Sequence, residues 1–202
     1  MPCTIPEDII NSTIAYHGHI CPGLSIGIRA AELGMREVGD PATIQMVAVS
    51  ETDMCGVDAI QFITGCTLGK GNFIHRDYGK MAFSFFNRET GKGIRAVLTP
   101  NRSTLFREFR ELTSKEAKGQ LDEQGKQTVQ ELRPRLQKEI MQLELEDLFD
   151  VAPLETGLPR PPQVLESLVC TNCGEATMES RTRRMGGKTY CIPCFEKIDQ
   201  KL

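Results

Sequence analysis

His17-Gly18-His19-Ile20-Cys21-Pro22-Gly23 sets two imidazoles and one thiol inside a single break of the chain. These are two of the three histidines in the sequence. Imidazole and thiolate bind borderline metals and exchange protons near neutral pH. Glycine and proline around them impose a sharp, specific backbone path. The heptapeptide separates two helical patterns. Upstream, residues 6–16 read as a short helix, with Pro6 suited to its first turn and Glu7 and Asp8 to its positive end. Downstream, Leu24, Ile28, Ala31, Met35 and Val38 recur at spacings of four and three and form one apolar stripe. Ser25, Arg29, Glu32 and Arg36 lie off that stripe. Gly23, Gly27 and Gly34 weaken a helix unless something packs closely on them. The second helix is therefore expected to be buried against a sheet or a partner subunit.

If residues 17–21 run extended, alternate side chains share a face and His17, His19 and Cys21 converge. Cys21 then sits at the mouth of the following helix, where the dipole and the exposed amides favour a thiolate. It is a candidate nucleophile or metal ligand; the plain alternative is a small buried residue. A second cluster, Glu51-Thr52-Asp53-Met54-Cys55-Gly56-Val57-Asp58, lies between a strand and a helix, where ligand sites often form. It places Cys55 near another helix N-terminus. Asp58, one turn in, either orients an imidazole or complements the dipole. Cys66 and Lys70 belong to the glycine-rich turn that starts at Gly65. Gly65-x-x-x-Gly69-Lys70-Gly71 is one residue short of a phosphate loop and lacks Ser or Thr after the lysine, which excludes a nucleotide hydrolase. Amides around Lys70 still offer an anion site. The candidate functional residues are thus Cys21, His17, His19, Cys55, Asp58, Cys66 and Lys70. Among them, His19, Cys21 and Cys55 are candidate ligands of a transition-metal ion.

The remaining patterns are a largely buried strand over 43–50, a helix over about 55–64 and a hairpin of 80–88 with 93–99. Residues 103–148 form a polar, helix-rich extension with the stripe Leu132, Leu136, Ile140 and Leu143; Pro134 requires a first turn or a kink there. Pro153, Pro159, Pro161 and Pro162 mark 149–168 as an extended linker. The expected organisation is a domain over 1–148, this linker, and a small domain over 169–202.

The small domain carries Cys170-x-x-Cys173 and Cys191-x-x-Cys194, separated by residues 174–190. Two such knuckles supply the four thiolates of a closed tetrahedral zinc site. A segment this short cannot bury a sufficient core, so zinc is expected to supply much of its folding energy. With four ligands filled, that zinc has no open position for catalysis. Arg181, Arg183, Arg184 and Lys188 lie between the knuckles and read as a solvated basic hairpin.

Composition narrows the function. The 202 residues carry a net charge of −3, no tryptophan and 6% aromatics, which argues against direct nucleic-acid binding. No run spans a bilayer and the first twenty residues lack the pattern of a signal peptide, so a cytoplasmic protein is expected, with its eight cysteines as ligands or reactive thiols.

Taken together, His-Gly-His-Ile-Cys-Pro-Gly-Leu (17–24), Cys-Gly-Val-Asp-Ala-Ile-Gln (55–61), Thr-Gly-Cys-Thr-Leu-Gly-Lys-Gly-Asn (64–72) and Asp77-Tyr-Gly-Lys80 resemble the FmdE family, named for a component of formylmethanofuran dehydrogenase. The C-terminal segment resembles a TraR/DksA-type four-cysteine zinc ribbon. The resemblance implies an α+β fold with a mixed sheet, assembly as a homodimer, and association with the other subunits of a molybdenum or tungsten formylmethanofuran dehydrogenase, an oxidoreductase whose molybdopterin chemistry belongs to those subunits. The expected protein is a metal-binding accessory subunit or a stand-alone Cys/His metalloprotein. A regulatory module, with an interaction-competent ribbon and a ligand-sensing N-terminal domain, is the alternative.

Overall fold

The computed structural model describes residues 2–99 and 103–198. The chain divides into two units, 1–161 and 162–202.

In the first unit the apolar stripes and turn residues give α1 (Glu7–His17), α2 (Pro22–Val38), β1 (Met46–Ser50), α3 (Gly56–Thr64), β2 (Phe73–His75), β3 (Ala82–Asn87) and β4 (Gly93–Leu98). These are followed by α4 (Thr104–Ala117), α5 (Glu123–Gln142), α6 (Leu145–Leu148) and β5 (Phe149–Leu154). The strands form one sheet in the order β2-β1-β3-β4-β5. Only β1 and β2 pair in parallel; the other neighbours are antiparallel, so the sheet is mixed and the fold is α+β. Alternation along β3 decides what each face does. Phe83 and Phe85 join Ala30, Leu33, Leu136 and Ile140 in the main core beneath the helices. Phe86 joins Val47 and Val49 on the opposite face, covered by Leu154 and Leu158. Gly34 answers the expectation of close packing: a Cβ there would stand 2.6 Å from the Phe85 ring. On the second face Arg95 forks onto Glu51 at 2.6 and 2.8 Å, which holds the Glu51 carboxyl below the ordinary carboxylate range.

The helical extension packs back on the core. Ser103 caps α4 and Asp122 caps α5, each accepting an amide hydrogen bond. Arg29, fully buried in α2, donates to the Leu143 carbonyl at 2.6 Å and the Met141 carbonyl at 3.4 Å, so it serves the orphan carbonyls at the end of α5. It also pairs with Glu32 at 3.1 Å, whose carboxylate accepts from the Thr4 amide and hydroxyl. Pro134 lies well inside α5 rather than in its first turn.

One expectation changes, and one strand is added. Residues 149–154, read as the start of the linker, form the edge strand β5, and Ile94 pairs with Pro153. A proline is tolerated there because an edge strand leaves one row of amides without a strand partner. Residues 73–75, to which the sequence pattern assigns no element, form β2 against β1.

The second unit holds two small hairpins, β6 (Ser167–Val169) with β7 (Ala176–Met178) and β8 (Thr182–Met185) with β9 (Lys188–Cys191), followed by the single turn α7 (Ile192–Phe195). Among the described residues no helix is long and apolar enough to cross a membrane.

Candidate metal centres

The N-terminal centre is assembled from three helix ends. His17 is the last residue of α1, and Gly18 follows in a left-handed conformation, φ 90°, that turns the chain sharply. Cys21, extended at φ −150° and ψ 164°, is the N-cap of α2, and its Sγ accepts the Leu24 amide at 3.3 Å. Cys55 is the N-cap residue of α3. The ligand atoms of His17, His19, Cys21 and Cys55 all lie within 4.8 Å of one another. A tetrahedral site with bonds of about 2.0–2.3 Å needs ligand atoms roughly 3.3–3.8 Å apart, so small side-chain rotations close this set on one ion.

Packing of α2 against α3 makes the convergence. A Cβ on Gly27 would overlap the backbone of Gly56, and one on Gly56 would come within 2.9 Å of the Gly23 carbonyl. Glycine is required here for close approach of two helices rather than for a turn. Gly27→Ala is expected to push α3 off α2, cost about 3 kcal/mol or more of stability, and disperse the ligands. Thermal unfolding and metal content check this together; an unchanged melting temperature would refute it.

His17 is set as a metal ligand would be. Its Nδ1 lies 2.7 Å from Asp58 Oδ2. Its Nε2 is buried and, among the described residues, has no hydrogen-bond partner. A carboxylate behind one ring nitrogen fixes the tautomer and leaves the other nitrogen's lone pair directed at an ion. Of the two roles open to Asp58, orientation of an imidazole is therefore the one the geometry displays. An unpaired buried nitrogen is costly without such a partner. Burial, then the neighbouring Cys21 sulfur, push the Cys55 thiol up; a cation between the sulfurs removes the second of these causes by screening their mutual repulsion. The donor set, two thiolates and two imidazoles, suits zinc or a similar transition-metal ion.

Two other candidates lie elsewhere. Cys66 lies beyond the far end of α3 from Cys55, a nine-residue helix about 13 Å long. It is fully buried in the main core, and its Sγ donates to the Met46 carbonyl at 3.4 Å. Burial raises its thiol pKa. Lys70 is exposed, and its Nζ donates to the Gly65 carbonyl at 3.0 Å, so it closes its own turn. A residue without a motif proves more relevant: Gln137 of α5 donates to the Ile20 carbonyl at 3.2 Å and ties down the loop between His19 and Cys21.

The ribbon centre is a closed four-thiol set. The ligand sulfurs of Cys170, Cys173, Cys191 and Cys194 lie within 4.8 Å of one another. Gly174, φ 76°, turns the first knuckle and donates to the Cys170 carbonyl at 2.9 Å. Amides then serve the sulfurs, the Cys191 amide reaching Cys170 Sγ at 3.3 Å. The amides of Cys173 and Cys191 draw Cys170 down to about 6. Cys173, although exposed and receiving the Glu175 amide, is pushed up to about 12 by local desolvation and the other three sulfurs. Four such thiols can ionise together only around a cation, and their all-sulfur set holds structural zinc.

Residues 16–150 match the FmdE family, described as "Molybdenum formylmethanofuran dehydrogenase operon". Residues 165–200 match the prokaryotic DksA/TraR C4-type zinc finger. A relative from Archaeoglobus fulgidus, named "Probable S-adenosyl-L-methionine-binding protein", is 27% identical over an alignment of 195 positions that covers 88% of this chain and 52% of the relative. The chain thus spans about half the length of that curated relative. The crystal structure of a tungsten formylmethanofuran dehydrogenase FmdE-like protein from Syntrophus aciditrophicus has the same fold, with a TM-score of 0.65 at 24% identity over 97% of this chain and 94% of that one.

Proposed function

The chain belongs to the FmdE family, and we propose that its N-terminal Cys2His2 centre is the functional one, while the ribbon zinc serves structure alone. The buried Nε2 of His17, backed by Asp58 and facing two thiols, is the observation that carries this reading. Residues His17, His19, Cys21 and Cys55 would hold a transition-metal ion there. When bound, such an ion polarises or positions a ligand. Asp58 keeps the His17 tautomer, the Leu24 amide supports the Cys21 thiolate, and Gln137 holds the loop.

We read the protein as a cytoplasmic homodimer that accompanies a formylmethanofuran dehydrogenase, with redox chemistry left to the partner subunits. Family membership supports the association. Exposed Tyr16, Ile20, Met54 and Phe62 around the centre support a contact surface. Co-purification with dehydrogenase subunits tests the association, and sedimentation tests the dimer. The Archaeoglobus relative's name favours a second reading, binding of S-adenosyl-L-methionine. The tilted Tyr16–Phe62 ring pair, 5.4 Å between centroids, offers an adenine a stacking surface. Calorimetric titration with that compound decides it.

Metal content tests the main reading. The whole chain should hold two equivalents, and a Cys21→Ser, His17→Ala double variant should hold one. Asp58→Asn should keep the fold and weaken the N-terminal ion about 10–100-fold, as loss of a carboxylate behind a ligating histidine does. One equivalent in the unaltered protein would defeat the reading.

A further inference from the structure

The four ligands of the N-terminal centre are not held alike. His17 is nine-tenths buried and bonded to Asp58 at 2.7 Å. Cys21 is 7% exposed and takes the Leu24 amide. Cys55 is half-buried at the start of α3 and packs beside Gly23 of α2, where a Cβ would stand 3.4 Å from its own. These three are fixed by helices packed on each other. His19 is exposed and, among the described residues, its side chain makes no hydrogen bond. Its ring only leans on that of His17, 4.4 Å between centroids at 38°. It follows Gly18, around which the space is open, while Gln137 holds the Ile20 carbonyl on its other side, so it is the His19 side chain and not the loop that is free to move.

Resting on the metal reading above, we infer that His19 is an exchangeable ligand and that the centre takes an external thiol on a small apolar body in its place. Three anchored ligands of Cys2His type plus one position that opens is the arrangement of a zinc site that admits a substrate, in contrast with the closed ribbon. Two features select the incoming group. α2 and α3 both begin at the sulfur side of the site, so their positive dipole ends lie there, which favours an anionic donor. Ile20 and Met54, 48% and 53% exposed, adjoin Cys21 and Cys55 and offer apolar surface to what the donor carries. A thiolate meets both demands and matches the softness of the two resident sulfurs. In the exchange the bond from the ion to the His19 imidazole breaks, a bond to the incoming sulfur forms, and the thiol proton passes to the released imidazole. Nothing is oxidised or reduced.

Cobalt(II) in place of zinc makes the exchange visible, with benzenethiol as the probe. Difference spectra against Cys21→Ser, which keeps the ribbon ion only, isolate the N-terminal centre. His19→Ala should retain two metal equivalents, whereas His17→Ala should retain one. Benzenethiol should strengthen the sulfur-to-cobalt band in proportion to a third thiolate, saturating at lower concentration in His19→Ala than in the unaltered protein. Loss of the N-terminal ion from His19→Ala, or a cobalt spectrum that benzenethiol leaves unchanged in both proteins, would overturn the inference while the two-centre reading stands. A single equivalent in the unaltered protein removes both.

Discussion

Chelation of the ribbon zinc is expected to unfold residues 162–198 and to leave the first unit folded. Among its described residues the second unit has short hairpins and a single helical turn, and the buried cluster consists of the ligand cysteines Cys170, Cys191 and Cys194 with Tyr190 beside them. A unit of this size does not bury enough apolar surface to fold unaided. Zinc binding contributes about 10–16 kcal/mol in comparable small sites, and that free energy is folding free energy. Limited trypsin digestion checks the point. Arg181, Arg183, Arg184 and Lys188 lie on or beside the β8–β9 hairpin. Their peptide bonds should be resistant with zinc and cut rapidly after chelation, and Cys191→Ser should reproduce the cut pattern without a chelator. Resistance in both cases would show that the ribbon folds without its metal.

Arg29→Met is expected to be the most damaging single change in the first unit outside the ligands, at about 3–5 kcal/mol. The guanidinium is 1% exposed and joins Glu32 and the carbonyls of Met141 and Leu143. Its removal strands a buried carboxylate and the end of α5. For a domain of this size the melting temperature should fall by on the order of 10 °C. The double variant Arg29→Met, Glu32→Leu separates charge from packing. It should recover part of the loss, because an uncompensated buried charge costs more than an absent pair. A double variant as unstable as the single one would place the cost in shape instead.

How much of this is legible in the sequence depends on whether the cause is local. The Cys-x-x-Cys spacings, the α2 stripe, and the placement of Cys21 and Cys55 at helix mouths follow from neighbours within a few residues, and the structure has them there. The grouping of Cys66 with the other thiols is open in the sequence because periodicity places residues on a helix without saying which end meets a neighbouring element; the structure puts Cys66 beyond the opposite end of α3. Gln137 bonds Ile20 across 117 positions and Arg29 bonds Leu143 across 114, and no local pattern encodes either contact. The strand β5 is hidden by its proline and by its mostly exposed side chains, both characteristic of an edge. His17 converges with Cys21 through a helix end and a left-handed glycine rather than through a continuous extended run, because α1 carries one residue further than its pattern requires.

The β4–β5 pairing bears on how the chain comes to be folded. Its partners are separated by residues 99–148, which include α4, α5 and α6. During synthesis β4 emerges with its outer row of backbone groups exposed, and stays so until residue 154 is available. Long-range antiparallel closure of that kind is slow, and an unpaired strand edge invites association with other chains. The helical extension packs on the main core through Phe106, Leu136 and Ile140 and precedes the closing strand in the chain. It can thus deliver β5 to its place, so truncation within 103–148 would be felt first as aggregation of nascent protein.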